Sequence, residues 1–231
     1  MATILECSKL VKQYGKFTAL KGIDLSLPEG KIIGLLGPNG SGKTTLIKLA
    51  SGLLLPNSGT ITIAGMTPGI ETKKIVAYLP ERNYLNDSMK VNSAIDFMAD
   101  FYSDFNKDKA YELLERLNID SSKTLKSLSK GTKEKVQLIL VMSREAKLYL
   151  LDEPIGGVDP AARDYILETI ISNYCKESTV LISTHLIADV EPVLDEFVFI
   201  QNGEILKHGN AKQVKEDGKT IDGLFREVFK C

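Results

Sequence analysis

The feature that most constrains this sequence is a glycine-rich loop between an apolar run and a short helical segment. The loop reads GPNGSGKT over residues 37–44, and it directly follows the apolar run 31–36. Such a run before a glycine-rich turn is typical of a buried strand, and the spacing over 44–51 predicts a helix that ends at Gly52. A phosphate-binding loop requires this strand–loop–helix context, so the sequence predicts a phosphate site on an α/β core.

Each part of the loop has a physical reason to hold phosphates. Glycines let backbone N–H groups turn inward around phosphate oxygens, and the following helix adds the positive end of its dipole. Lys43 supplies a positive charge to the β- and γ-phosphates of ATP, and the Thr44 hydroxyl is placed to bind Mg²⁺. The predicted nucleotide contacts in this segment are Gly37, Pro38, Asn39, Gly40, Ser41, Gly42, Lys43, Thr44 and Thr45. A second Gly-Lys-Thr at 218–220 is rejected, because Gln213 stands where its first glycine should be.

A second apolar run ends in two acids that point to hydrolysis. The segment 148–151 is a predicted buried strand, and Asp152 and Glu153 follow it directly. Parallel sheets bind ligands at the carboxyl ends of their strands, where these acids would face the phosphate loop. Asp152 is predicted to hold Mg²⁺, directly or through water, and Glu153 to orient and deprotonate the attacking water.

The rest of the pattern indicates a mostly parallel α/β core that a helical segment interrupts. Apolar residues follow a helical spacing from about 91 to 144, and the C-terminal residues 221–229 do so again. Asn202-Gly203 predicts a hairpin turn. Further strands are predicted at 2–10, 17–27, 60–65 as an edge strand, 147–151, 179–183 and 197–200.

Composition excludes several other classes of protein. Lys and Arg number 29 and Asp and Glu number 30, and a net charge of −1 argues against a dedicated nucleic-acid binder. No apolar run approaches the ~20 residues that span a bilayer, and the first residues lack the pattern of a signal peptide. Any membrane role is therefore expected to come through a partner. Cys7, Cys175 and Cys231 are far apart and are predicted to be free thiols in a reducing compartment.

The order of the motifs resembles that of ABC transporter nucleotide-binding subunits over nearly the whole chain. Leu-Ser-Lys-Gly-Thr at 128–132 stands where that family has its Leu-Ser-Gly-Gly-Gln signature. Gly156-Gly157-Val158-Asp159 matches the loop after the catalytic acid, and His185 matches the switch histidine. Tyr14 matches the aromatic residue that stacks on adenine.

The resemblance implies roles for residues that the phosphate loop alone does not explain. Ser129 and the backbone N–H of Gly131 would contact the γ-phosphate of an ATP held by a second subunit. His185 would contact the γ-phosphate and the catalytic water beside Glu153, and Asp159 would communicate across the dimer. An ATP would thus lie between the phosphate loop of one subunit and the signature of the other.

Two motifs depart from the family pattern. In the signature, Lys130 replaces glycine and Thr132 replaces glutamine. After Tyr78-Leu79-Pro80 the chain has Glu81, where the family usually has a glutamine that binds the metal and acts as a hinge to the helical insert. A carboxylate can still bind Mg²⁺, and Arg82 beside it could neutralise the charge. Glutamate at this position favours an exporter-like member.

The resemblance implies one domain over 1–231, with a helical subdomain at about 86–145. Its fold would be a P-loop NTPase core with a mostly parallel sheet, an N-terminal antiparallel β subdomain and a helical insert. Its function would be ATP hydrolysis that drives a separate membrane-spanning transporter subunit, from the cytoplasmic face of the membrane and with export favoured. A second ATP-binding subunit is expected, identical or different, and no nucleic-acid partner.

Two other functions are open at this point. One is a soluble ABC-type ATPase that acts on ribosomes or DNA, which the single cassette and the lack of a basic tail disfavour. The other is a regulatory nucleotide binder without hydrolysis, which the intact Lys43, Asp152, Glu153 and His185 disfavour. The transported substrate is not encoded in these motifs, because selectivity would lie in the membrane subunit.

Overall fold

The computed structural model describes residues 2–156, 160–174 and 177–229. Its strands are β1 (Thr3–Tyr14), β2 (Phe17–Pro28), β3 (Ile32–Leu36), β4 (Ser58–Ile63), β5 (Val76–Leu79), β6 (Leu148–Asp152), β7 (Thr179–Thr184), β8 (Glu196–Gln201) and β9 (Glu204–Asn210). Its helices are α1 (Lys43–Ala50), α2 (Ile70–Ile75), α3 (Val91–Phe101), α4 (Lys107–Arg116), α5 (Lys130–Met142), α6 (Pro160–Asn173), α7 (Ile187–Val190), α8 (Ala211–Glu216) and α9 (Ile221–Phe229). Within these ranges, no helix combines the length and the apolar character that a bilayer span needs.

The main sheet runs in the order β5-β6-β7-β3-β8-β9, and its neighbours are parallel except for the β8–β9 hairpin. Strands β3, β6 and β7 are buried along their whole length. Alternate residues of β3 enter two different apolar cores, Ile32 on one face of the sheet and Ile33 on the other. Burial on both faces explains the continuous apolar runs of the sequence.

Strands β1, β2 and β4 form a separate antiparallel sheet in the order β2-β1-β4, with β4 at its edge as predicted. Buried and exposed residues alternate along β2, which is typical of a sheet with one solvated face. The buried side chains of this sheet share a core with α1 and the main sheet. Cys7 on β1 lies in that core as a free thiol, whereas Cys175 and Cys231 lie outside the described residues.

Helices α3, α4 and α5 pack around an apolar core of their own. The predicted mostly parallel core, antiparallel N-terminal sheet and helical insert are therefore confirmed. The domain boundary near 86–145 stays a prediction. Helix α2 and strand β5, between β4 and the insert, had no counterpart in the sequence prediction.

Candidate nucleotide site

The predicted phosphate loop connects β3 to α1, as the sequence requires. Gly42 has a left-handed φ of 112°, which a residue with a side chain rarely adopts. A Cβ at Gly37 would lie 2.2 Å from the carbonyl oxygen of Ile200, so only glycine fits there. Loop residues 39–45 line a cavity of about 340 Å³ together with Tyr14 and Phe17. A nucleotide could therefore lie with its phosphates on the loop and its base at the aromatic side chains.

Lys43 is buried at the base of this loop, with its ammonium held by oxygen atoms. Its Nζ donates to the carbonyl oxygens of Gly37 at 2.8 Å and Pro38 at 3.1 Å. The same Nζ lies 3.3 Å from Oε1 of Glu153, so the phosphate-binding lysine and the candidate base form an ion pair. A bound phosphate would compete with all three oxygens for this ammonium.

Asp152 ends strand β6 and is only 1% exposed. Its Oδ1 accepts hydrogen bonds from Thr44 Oγ1 at 3.0 Å and from Ser183 Oγ at 2.7 Å. Its Oδ2 has no partner among the described residues. Burial raises the pKa of Asp152 above its ordinary value, hydrogen bonds from Ser183 and Thr44 lower it, and the charges of Glu81 and Glu153 raise it. A buried carboxylate with one unpartnered oxygen beside the Thr44 hydroxyl fits a divalent cation.

Glu153 follows the strand in an unusual backbone conformation. Its φ is +50°, in the left-handed region that costs a residue with a side chain roughly 1–3 kcal/mol. Its N–H donates to the carbonyl oxygen of Ser183 at 3.0 Å, and Oε2 lies 3.1 Å from Nδ1 of His185. A Cβ at Gly156 would come within 3.3 Å of Glu153 Cβ, so glycine leaves this carboxylate room. The strained turn thus directs Glu153 between Lys43 and His185.

The adenine-stacking candidate, Tyr14, lies beside the phosphate loop. Tyr14 ends β1, is 46% exposed and lines the same cavity as the phosphate loop. Lys12 Nζ lies 5.5 Å from the centre of its ring. Phe17, across the turn from Tyr14, is exposed in the same cavity and was missed by the sequence analysis. In the sequence, the one signal for Phe17 was its position across a hairpin turn from Tyr14.

Glu81 and Lys130 line a wider cleft between the core and the insert, whereas Ser129 and Gly131 of the signature do not. Glu81 lines both the phosphate-loop cavity and a cleft of about 650 Å³, in which Glu153, His185 and Lys130 also lie. Ser129 caps the N-terminus of α5, where its Oγ accepts from Thr132 N–H at 3.2 Å. Around Gly131 a Cβ would find no atom within 4 Å. Ser129 and Gly131 line neither the cavity nor the cleft.

The site therefore brings most of the predicted residues together. Lys43, Thr44, Asp152, Glu153 and His185 are joined by the contacts above, whereas Ser129 and Gly131 of the signature lie apart from them. Among the described residues no group of three His, Cys, Asp or Glu side chains could hold a metal ion alone, so a cation here would need phosphate oxygens as further ligands. The predicted Asp159 lies outside the described part of the chain.

The chain is similar to known proteins over most of its length. Residues 20–156 match the family described as ABC transporter. The uncharacterised ABC transporter ATP-binding protein YhaQ of Bacillus subtilis is 32% identical over 92% of this chain and 73% of its own. The SkfA peptide export ATP-binding protein SkfE of the same organism is 29% identical over 94% and 93%. A solved ATP-binding subunit of an ABC transporter superposes with a TM-score of 0.86 at 30% identity, covering 98% of this chain and 100% of that one.

Proposed function

This chain belongs to the ABC transporter family as an ATP-binding and ATP-hydrolysing subunit, and we propose that it powers export through a separate membrane-spanning partner. The observation that carries the hydrolytic part of this function is the series of contacts Lys43–Glu153–His185 beside Thr44 and Asp152. These residues bring together, in one site, a cation that could bind phosphate, a candidate base and a carboxylate that could bind Mg²⁺. The soluble alternative that acts on ribosomes or DNA gains no support from this arrangement.

In this proposal the phosphate loop, residues 37–45, holds the triphosphate, and Tyr14 stacks on the adenine. Lys43 turns from the carbonyl oxygens of Gly37 and Pro38 to the β- and γ-phosphates. The N–H groups at the N-terminus of α1 point to the same oxygens, and the positive end of the helix dipole attracts their negative charge. The exposed Tyr14 ring and the roughly 340 Å³ of space above the loop support this orientation.

Mg²⁺, when bound, would neutralise charge on the β- and γ-phosphate oxygens. The residues proposed to hold it are Thr44, Asp152 and Glu81. The hydrogen bond of 3.0 Å from Thr44 to Asp152, and the Oδ2 of Asp152 that has no partner among the described residues, support the first two. The position of Glu81 in the same cavity supports the third.

Glu153 is proposed to orient and deprotonate the water that attacks the γ-phosphate. Its Oε1 is paired with Lys43 and its Oε2 with His185, so it lies between the phosphate-binding lysine and the switch histidine. When Lys43 turns to the phosphates, Oε1 becomes available to accept a proton from water. His185 keeps its contact with Oε2 and extends towards the γ-phosphate.

A second ATP-binding subunit is proposed to complete each site. Ser129 and the N–H of Gly131 lie at the exposed N-terminus of α5, which suits an anion brought by another subunit. Their separation from the phosphate loop of their own chain supports this assignment. A homodimer would have two complete sites, because all of these residues are in one chain.

The membrane partner is proposed to dock where the insert meets the core. A groove of about 600 Å³ in this region is lined largely by apolar side chains, among them Phe97, Phe101 and Tyr84. Phe101 is 69% exposed and lies with its ring centre 4.6 Å from that of Phe97. An exposed aromatic groove of this size suits an apolar helix of a partner. Such docking would hold the chain at the cytoplasmic face of the membrane.

Two observations favour export as the direction of transport. The relative SkfE is named for peptide export, and its length matches this chain almost fully. Glu81 replaces the usual glutamine, as in exporter-like members of the family.

The proposal is tested by two measurements on the intact chain. Phosphate release from Mg²⁺-ATP should exceed that of the Lys43→Ala variant, and the chain expressed in cells should sediment with membranes. Sedimentation with ribosomes, or turnover equal to that of the variant, would contradict the proposal.

A further inference from the structure

Helix α5 carries a buried amide whose nitrogen is unsatisfied within the described part of the chain. Gln137 is 3% exposed, and its Nε2 has no hydrogen-bond partner among the described residues. An unsatisfied buried donor destabilises the folded chain, because it has lost its hydrogen bonds to water. Such a group is retained where water or a ligand completes it.

Gln137 lines a small cavity beside the candidate metal site. This cavity of about 30 Å³ is also lined by Asp152, Glu81, Glu153 and Glu134. The Oδ2 of Asp152 is buried and, among the described residues, has no partner either. Two residues that carry an unsatisfied donor and an unsatisfied acceptor thus line the same cavity, whose volume exceeds the ~10–15 Å³ that one water needs.

We propose that Gln137 is a positioning residue for Asp152: its amide donates to a water in this cavity, and that water donates to Oδ2 of Asp152. This inference rests on the proposed role of Asp152 at the metal. Oδ1 is already fixed by Thr44 and Ser183, so Oδ2 is the oxygen whose direction remains to be set. Among the described residues that line the cavity, the other polar side chains are acids, which when ionised only accept hydrogen bonds. Gln137 supplies the donor that orients the water.

The position of Gln137 also links two parts of the molecule. Ser129 caps α5, and Gln137 lies eight residues further along it (137 − 129), about 12 Å at 1.5 Å per residue. The same helix thus presents the signature to a second subunit and the amide to the metal side of its own site. A shift of α5 along its axis would move both together.

The test compares nucleotide affinity with and without metal in the full chain. The probe is an ATP analogue with a non-hydrolysable β–γ bridge, titrated once in EDTA and once with Mn²⁺. Gln137→Met keeps the shape of the side chain and removes its donor. We expect the metal-free Kd to stay within twofold of wild type and the tightening by Mn²⁺ to fall about tenfold, as for other groups that orient a metal ligand.

Ser143→Ala is the matched control, because Ser143 caps the C-terminus of the same helix, and its Oγ is also buried without a partner among the described residues, but away from this cavity. It should keep the full Mn²⁺ effect. An unchanged Mn²⁺ effect in Gln137→Met, an equal loss in Ser143→Ala, or an equal loss in EDTA would overturn the inference. Absence of any Mn²⁺ effect in wild type would instead refute the proposed metal site.

A second measurement needs no variant, and it decides the matter if Gln137→Met fails to fold. A crystal structure of the wild-type chain should contain an ordered water within hydrogen-bond distance of Gln137 Nε2 and Asp152 Oδ2. An empty cavity, or a direct bond between Gln137 and a carboxylate, would overturn the proposed water bridge.

Discussion

The ammonium of Lys43 lies 3.3 Å from Oε1 of Glu153, so the proposed phosphate-binding group and the proposed base form an ion pair. Both side chains are largely buried, and the pair neutralises two charges that would otherwise be costly in this environment. In the proposed mechanism a triphosphate would compete for Lys43 and leave Oε1 of Glu153 available. Release of the proposed base would thereby be coupled to occupation of the phosphate loop.

Replacement of Glu153 by glutamine should separate binding from hydrolysis. The amide keeps the shape of the carboxylate but cannot accept a proton from water, so phosphate release should fall by about 10²-fold or more. ATP should still bind, because Lys43 loses a competing carboxylate. Phosphate release and size-exclusion chromatography with ATP measure the two effects, and an ATP-bound dimer should accumulate. Hydrolysis at the wild-type rate would remove Glu153 from the role of base.

Replacement of Lys43 by alanine should abolish ATP binding. The variant loses the charge for the β- and γ-phosphates and leaves the Glu153 carboxylate directed at the same space. Isothermal titration calorimetry with Mg²⁺-ATP should detect no binding at concentrations that saturate wild type. Lys219→Ala is the control, since this lysine of the second Gly-Lys-Thr forms an exposed ion pair with Glu227. Tight binding by Lys43→Ala, or lost binding in the control, would contradict the assignment of the loop.

The residues at the ends of buried strands could be predicted from the sequence because their signals are local. The phosphate loop, Asp152, Glu153 and His185 each follow a short apolar run, and each lies at the carboxyl end of β3, β6 or β7. The decoy at 218–220 was rightly rejected, because helix α8 precedes it rather than a strand.

Other features depend on contacts between distant segments and have no local signal. Strand β5 has only four residues, and its strand character comes from pairing with β6. Ser183 reaches Asp152 because the register of β6 and β7 puts these two residues side by side. In the sequence Gln137 is one of several polar residues on a predicted helix, and only the packing of α5 shows that it is buried. The assignment of Ser129 and Gly131 still depends on a second subunit.

Replacement of Arg144 by methionine should strongly destabilise the junction between the insert and the core. Arg144 is 2% exposed; it donates to Asp104 at 3.0–3.2 Å and to the carbonyl oxygen of Val76 at 2.6 Å, and it lies 3.7 Å from the centre of the Tyr102 ring. Its loss leaves these acceptors without their donor, and we expect a loss of about 3 kcal/mol in the free energy of unfolding in urea. Lys212→Met, which breaks an exposed ion pair, should change it by less than about 1 kcal/mol. Equal effects of the two substitutions would contradict a structural role for Arg144.

Replacement of both Phe97 and Phe101 by serine should weaken binding of the chain to membranes. The two rings form an exposed pair in the proposed docking groove, and their removal takes away apolar area that a partner helix would bury. The fraction of the chain that sediments with membranes should fall several-fold at equal expression and equal circular dichroism. Leu206→Ser removes an exposed apolar residue outside the groove and should leave sedimentation unchanged. Undiminished sedimentation of the double variant would place the partner elsewhere.

The buried thiol of Cys7 should make the stability of the chain fall at alkaline pH. Burial, with the charges of Asp24 and Glu6, raises the pKa of Cys7 from 9.0 to about 12. Between these values the folded chain keeps the proton that the unfolded chain releases, so the thiol's contribution to stability is full below pH 9 and is lost as the pH rises towards 12. Between pH 8 and pH 10.5 the free energy of unfolding, measured in urea, should fall by about 2 kcal/mol more in wild type than in Cys7→Ala, because each pKa unit corresponds to about 1.4 kcal/mol. The other ionisable groups are common to both proteins and cancel in this difference, so parallel losses would show that the Cys7 thiol ionises as easily in the folded chain as in the unfolded one.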